Sequence, residues 1–573
     1  MGLKSNIKRL KDLCSNYETL EFLTFLAGLL LQIPQRKNHP LLKKLMSPMR
    51  QLFFLGFLNS LSAPSKNQKV FSKEEWEEMA DLLHQIEVDY FFLLGFPKNG
   101  KETKEDIEKI SVTMPTFMNY FFNGPLSYQE QEIERIENIF SVFECDLIDQ
   151  YDITLADFIS FYDLTNDEIN KNLNLVFKFT NPENWQKFTA SCIEKGLHDP
   201  KDWINEAPNE IYAFANFMQN PGSFLKLDLN EINYDSISKS KYEKILKLFT
   251  FKISQKEDIV YYTENNALME SPLIRLNKNE FLPFSLKQYL NATYNFLFDF
   301  CYQIDKNKLL KQRDLFVEKK VETLFKDFFG KQASIYSNYS IDNNKSEQDL
   351  LILFKNTAII IEVKAGSYRA PMRDPEKAYK KLQSDFKKII QNAYDQTLRV
   401  KDAFYENESL IVRNKKKQKL DEFSTAKFRG NLYSVIVPLE RFGHIQSNLL
   451  DMLEVDENDD FPWAVSLDDL EAFLLTLSKS KRKNKTQAFL QYIKVRENYH
   501  GHLLCSDELE LCGLYLKRPK DFIAWSNKDE VIVTAADLTE PIEKAYSNGM
   551  GFKNERNFKA KRNKTVRILY DNR

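Results

Sequence analysis

The sequence predicts an α/β core set late in the chain, joined to a large, mostly α-helical N-terminal region. Three observations predict it. Apolar residues recur at three- and four-residue spacing through residues 1–250, the period of amphipathic helices. After residue 258, short strongly apolar runs alternate with helical stretches, the texture of an α/β domain. Glycine is scarce, at 16 of 573 residues, and phenylalanine abundant at 45, which suits packed helices better than loop-rich β architecture.

The elements follow in order. Helices are expected over residues 21–31, 41–61, 76–92, 129–143 and 240–251, with breaks at Pro34, Pro40, Pro64, Pro97, Pro182 and Pro221. Strand-like runs come next at 259–262 and 273–284, with a turn at Asn277-Lys278-Asn279, and then a helix over 286–300. An amphipathic helix over 313–329 ends at Gly330, a good C-cap residue. Strands at 350–354 and 358–363 are the most apolar in the chain. A polar helix over 375–405, a basic stretch at 413–419 and a strand at 433–439 follow. The last third adds a strand at 464–466, helices over 468–477 and 485–497, and a basic tail. The expected division is a regulatory, sensing or oligomerisation region (1–250), a connecting segment (251–310), the α/β core (311–445) and a C-terminal α/β extension (446–573).

Charge sharpens the picture. The whole chain carries a net −2, which by itself argues against a polyanionic partner. Its halves differ. Residues 1–300 hold 32 Lys and Arg against 42 Asp and Glu, and the remainder holds 48 against 40. A basic half is the electrostatic footprint of a nucleic-acid partner. The six cysteines are scattered without a CxxC pair, so neither a disulfide framework nor structural zinc is expected, and a cytoplasmic location is. His500, His502 and Cys505 lie close together but lack a second ligand pair. The most apolar stretch, residues 20–33, is interrupted by Glu21 and is too short to span a bilayer, so no membrane partner is expected.

Chemistry concentrates at residues 347–366, EQDLLILFKNTAIIIEVKAG. Two apolar runs meet at Lys355-Asn356, a two-residue hairpin turn. Such a turn places Asp349 directly across from Glu362 with both side chains on one face. Lys364 shares that face and Val363 points to the other. Two carboxylates this close repel unless a cation sits between them, and hard oxygen ligands suit Mg²⁺ or Mn²⁺. A metal held there can activate water and neutralise a phosphoryl oxygen while the lysine orients or deprotonates the water. The structural alternative is a buried ion pair in an ordinary sheet, but buried charges are costly and seldom cluster in threes without a task.

Asp349, a twelve-residue gap and Glu362-Val363-Lys364 resemble the PD-(D/E)xK motif. That nuclease superfamily includes restriction endonucleases, recombination nucleases and many anti-phage effectors. The resemblance covers residues 311–440. It departs at Gln348, where the motif has proline, which leaves the metal ligand intact. It implies a restriction-endonuclease-like core, a mixed central sheet flanked by helices, and a Mg²⁺- or Mn²⁺-dependent endonuclease. Asp349, Glu362 and the Val363 carbonyl would hold the metal, and Lys364 would position the water. The superfamily often adds an acidic residue on the preceding helix. Glu318 fits, within an apolar stripe of Leu315, Val321, Phe325 and Phe328, with Glu322 the alternative. It often adds a glutamine on the following helix. Gln396 fits, with Gln391 second. The implied partner is nucleic acid, DNA ahead of RNA, with a role in defence against phage. The helical region is a candidate for homo-oligomer formation. A different reading is a catalytically inactive scaffold of the same fold, acting as a nucleic-acid-binding or adaptor protein.

Other motifs carry less. Gly95 to Lys101 matches GxxxxGK, but Glu102 stands where a phosphate-binding loop needs Ser or Thr. The basic runs at 415–419 and 479–485 read as solvated loops, with phosphate contact the alternative. The basic tail after Gly551 would grip nucleic acid or stay disordered.

Overall fold

The computed structural model describes residues 2–62, 72–95, 103–122, 127–177, 182–199, 202–203, 216–217, 219–253, 260–341, 346–366, 374–480, 484–505, 507–528 and 530–556. The loop of the GxxxxGK motif, residues 481–483 of the second basic run and the tail beyond Arg556 lie outside them. The chain divides into two compact units: residues 1–90 with 122–304, and residues 91–121 with 305–558.

The expected N-terminal helices form as Thr19–Leu31, Pro48–Leu61, Lys73–Gly95, Gln129–Ile139 and Lys239–Leu248. The second starts later than its apolar pattern suggests. Pro48 takes the first helical turn, where a missing N–H costs nothing. The expected strand at 259–262 is absent from its described part, residues 260–262. Tyr262 instead packs edge-on against Phe54, with ring centroids 5.0 Å apart. Gly28 lies backbone to backbone with Gly222: a Cβ on Gly222 would fall 1.8 Å from the Thr24 carbonyl oxygen. Around Tyr242 the core is aromatic. Its ring lies 4.3 Å from Phe161, and its hydroxyl shares a 2.7 Å hydrogen bond with Thr165. Strands Leu273–Arg275 and Glu280–Pro283 pair as expected, and Leu227–Asp228 adds a third.

The second unit is built on a seven-stranded mixed sheet. Helix α1 (Leu286–Phe329) is broken at Asp305, where φ is −152° and ψ 94°, and its second half enters this unit. The strands are β1 (Ser334–Ile341), β2 (Gln348–Phe354), β3 (Thr357–Lys364), β4 (Ser409–Arg413), β5 (Lys419–Ser424), β6 (Leu432–Pro438) and β7 (Trp463–Ala464). Their order across the sheet is β7-β6-β3-β2-β1-β4-β5. β7, β6 and β3 run parallel, and the other neighbours are antiparallel. Helix α2 (Pro375–Phe386) continues through a π-turn at Lys387–Gln391 into α3 (Asn392–Glu406). Later come α4 (Leu467–Lys479) and α5 (Lys485–Arg496).

β2 and β3 are nearly all apolar because both their faces are covered. Leu351, Leu353, Ala358 and Ile360 pack with Val400, Ala403 and Phe404 of α3. On the other face Phe354 meets Phe329 of α1 at 5.5 Å, and Phe325, Phe328 and Phe329 surround Phe489 of α5. The buried stripe of α1 runs through Val317, Val321, Phe325 and Phe328. Leu315, expected within it, is 45% exposed; the buried stripe starts two residues later, at Val317.

Candidate functional site

The site begins at a turn. β2 and β3 pair from Phe354↔Thr357 to Leu350↔Ile361, the register that a two-residue Lys355-Asn356 turn dictates. Lys355 supplies the positive φ, +54°, that so tight a connection needs. One step beyond the last pair lie Asp349 and Glu362. The Asp349 N–H donates to Glu362 Oε1 at 3.3 Å, and the Val363 N–H donates to Asp349 Oδ2 at 2.7 Å. The Lys364 carbonyl accepts from Leu439 N–H at 2.9 Å and is committed to the sheet. By strand alternation the Val363 carbonyl points to the opposite edge, towards β2.

Lys364 lies between an acid and an amide. Its Nζ donates to Glu362 Oε2 at 3.1 Å and to Gln396 Oε1 on α3 at 2.7 Å. Asp349, Glu362, Lys364 and Gln396 therefore form one connected cluster. Gln391 lies elsewhere: it exchanges hydrogen bonds with the Glu454 backbone and bonds Asp395. Its place in the π-turn orients it away from Lys364.

Electrostatics separates the two glutamates of α1. Glu318 is half-buried, and its pKa is raised first by burial and then by the charge of Asp349, with Lys415 opposing. Its carboxylate therefore senses the cluster. Burial also disfavours the charge of Glu322, but hydrogen bonds from Lys319, Lys326 and Ser337 outweigh it and pull its pKa down to about 2. Glu322 is fully engaged away from Asp349.

Glu362 is completely buried. Burial and then the adjacent Asp349 charge push its pKa up to about 8, against the pull of Lys364. One lysine does not neutralise the pair, so the donor set accommodates a further cation. Two carboxylates and a main-chain carbonyl are hard oxygen donors of the kind Mg²⁺ takes while keeping several waters. Among the described residues no three His, Cys, Asp or Glu side chains group closely enough to hold a metal, so Glu318 feels the charge of Asp349 without joining the pair as a third ligand.

Two neighbours of the cluster are not among the site residues read from the sequence. Asn338 in β1 adopts φ +50°, and strand alternation breaks there. Tyr336 before it and Tyr339 after it both pack in the α3-facing core. The Tyr339 hydroxyl is buried without a hydrogen-bond partner among the described residues. Burial, then the charges of Glu362 and Asp349, hold its phenol well above the usual value. The second neighbour is Lys415, in the β4–β5 turn. It pairs with Glu347 at 2.7 Å and also feels Glu318 and Asp349.

Residues 313–436 match the family model of the nuclease-related domain, NERD. The matched segment contains Glu318, Asp349, Glu362, Lys364 and Gln396 and runs from α1 into β6. It is consistent with a nuclease-like domain of the PD-(D/E)xK type and implies nucleic-acid binding. Neither a curated protein nor a solved structure matches the chain. No helix among the described residues is long and apolar enough to cross a membrane.

Proposed function

We propose that the NERD-like segment is a metal-dependent nuclease that hydrolyses phosphodiester bonds, of DNA ahead of RNA, and acts on foreign nucleic acid in defence. The carrying observation is one connected polar cluster at the end of an apolar hairpin: Asp349 beside buried Glu362, and Lys364 tied to Glu362 and Gln396. Asp349, Glu362 and the Val363 carbonyl would hold Mg²⁺ or Mn²⁺, which when bound supplies a polarised water and charge neutralisation at the phosphoryl oxygen. Lys364, fixed by Gln396, positions the attacking water and faces the negative charge that develops on the phosphoryl group. The water oxygen bonds to phosphorus as an ester P–O bond breaks, and the leaving oxygen takes up a proton. Glu318 strengthens the acidic pole from the rim. The defence role rests on analogy with the superfamily.

The test is cleavage of plasmid DNA and of RNA with Mg²⁺ or Mn²⁺. Asp349→Ala and Lys364→Ala should each lower the rate by about 100-fold or more. Unchanged rates in both variants would remove the assignment. One observation favours a second reading, a scaffold that binds without cutting: no third carboxylate joins Asp349 and Glu362 among the described residues. That reading expects nucleic-acid binding by the wild type and no product with either metal.

A further inference from the structure

The β4–β5 hairpin carries five basic residues and no acidic one across 413–419: Arg413, Lys415, Lys416, Lys417 and Lys419. A basic loop is usually a solvated loop. Three features set this one apart.

The first is rigidity. Asn414 organises the tip: its Oδ1 accepts from the Lys416 N–H at 2.9 Å and the Gln418 N–H at 3.0 Å, and its backbone N–H donates to the Gln418 carbonyl at 3.0 Å. Lys417 closes the turn with φ +61°, and its N–H donates to the Asn414 carbonyl at 2.8 Å. A fixed turn presents its ammonium groups without the ordering cost of a floppy loop.

The second is position. β4 pairs with the end of β1 through Ser340↔Arg413 and Ile341↔Val412, and Lys417 Nζ donates to Ser340 Oγ at 3.2 Å. Lys415 reaches Glu347, two residues before Asp349. The tip therefore stands beside the residues that open β2, at the acidic end of the cluster.

The third is surplus charge. Lys415 offsets Glu347 and senses Glu318 and Asp349. Lys419 pairs with Glu422. Lys415, Lys416 and Lys417 are exposed, and Lys416 and Lys417 have no carboxylate partner among the described residues.

We infer that this hairpin tip is a phosphate clamp, in which Lys415, Lys416 and Lys417 grip the nucleic-acid backbone next to the phosphodiester held at Asp349, Glu362 and Lys364. The inference rests on the nuclease reading above and adds its substrate contact. The chemistry is the phosphodiester backbone, common to DNA and RNA. In the free protein Lys415 is held by Glu347. A bound strand draws it onto a phosphate and leaves Glu347 to solvent.

The test uses the full chain with Lys415→Gln, Lys416→Gln and Lys417→Gln combined. Asp349→Ala serves as the comparison, and binding is read without divalent metal. Anisotropy titrations of a labelled duplex DNA and of a labelled single-stranded RNA are run from 50 to 300 mM salt. The triple variant should bind its preferred strand at least about 10-fold more weakly at low salt, and the slope of log affinity against log salt should shrink by about 2–3, since each phosphate contact contributes close to one. Asp349→Ala should keep the wild-type slope while losing cleavage. The arm with the larger loss names the strand type.

A triple variant with unchanged affinity and slope overturns the clamp, and if Asp349→Ala still abolishes cleavage the nuclease reading survives. Wild-type protein that binds neither strand overturns both. An unchanged melting temperature in the triple variant confirms that the loss is one of contact and not of folding.

Discussion

A tyrosine hydroxyl buried beside two carboxylates should carry a hydrogen bond, and that of Tyr339 meets no partner among the described residues. Burying an unpaired hydroxyl costs about 1–3 kcal/mol. Tyr339→Phe should therefore stabilise the metal-free protein, by about 1 kcal/mol in urea denaturation. A loss of stability would mean that the hydroxyl is satisfied in solution. Glu87 poses a similar problem in the first unit. It is 2% exposed, with Oε1 accepting from Gln51 at 2.9 Å and Oε2 unpaired. Burial pushes its pKa up to about 8, with Arg36 pulling the other way. The folded state then binds a proton that the unfolded chain releases near pH 4.5. Stability from this group is full below that pH and is lost as the pH rises to about 8. Glu87→Gln should flatten that dependence, gaining about 1–3 kcal/mol over wild type at pH 8 and little at pH 5. Urea midpoints of the two proteins at both pH values decide it.

At the scale of elements, close approach fixes several contacts. The backbones of Gly28 and Gly222 lie so near that a Cβ on either would meet main-chain atoms, at 2.5 and 1.8 Å. Backbone cannot swing aside as a side chain can. Gly222→Ala should cost about 2–3 kcal/mol or more, read as a lower denaturation midpoint, and a neutral result would show that the segment moves freely. The same scale explains what the sequence discloses. The β2–β3 hairpin was legible because two apolar runs flank a two-residue polar turn, and that geometry fixes which residues face each other. Lys364 and Gln396 meet at 2.7 Å, a contact set by the strand register and by the helix that covers the strand. β1, β4 and β5 were not legible. Ser334–Ile341 mixes serine with tyrosine and loses its alternation at Asn338, and Lys419–Ser424 is a charged, half-exposed strand formed by pairing with β4. The places of Tyr339 and Lys415 beside the site follow from those strands, so no local pattern could announce them. The stripe on α1 was read two residues early, because Leu315 looks apolar in sequence and lies exposed in the fold.

At the scale of the whole molecule, a near-neutral net charge conceals an acidic first part and a basic remainder, and the cluster lies in the remainder. The chain divides into two compact units, so its unfolding is not expected to follow a single transition. A ligand that binds only one folded unit stabilises only that unit. Asp349 and Glu362 belong to the second unit, and the buried charge of Glu362 is unfavourable until a cation joins it. Mg²⁺ or Mn²⁺ at 100 times its dissociation constant should thus stabilise the second unit by about 2.7 kcal/mol. For a unit of this size that is an upward shift of roughly 4–5 °C in its melting transition. Differential scanning calorimetry with and without metal should show one transition move and the other stay. In Asp349→Ala the shift should vanish. A shift that survives in that variant, or that appears in the transition lowered by Gly222→Ala, would place the metal outside the Asp349–Glu362 pair.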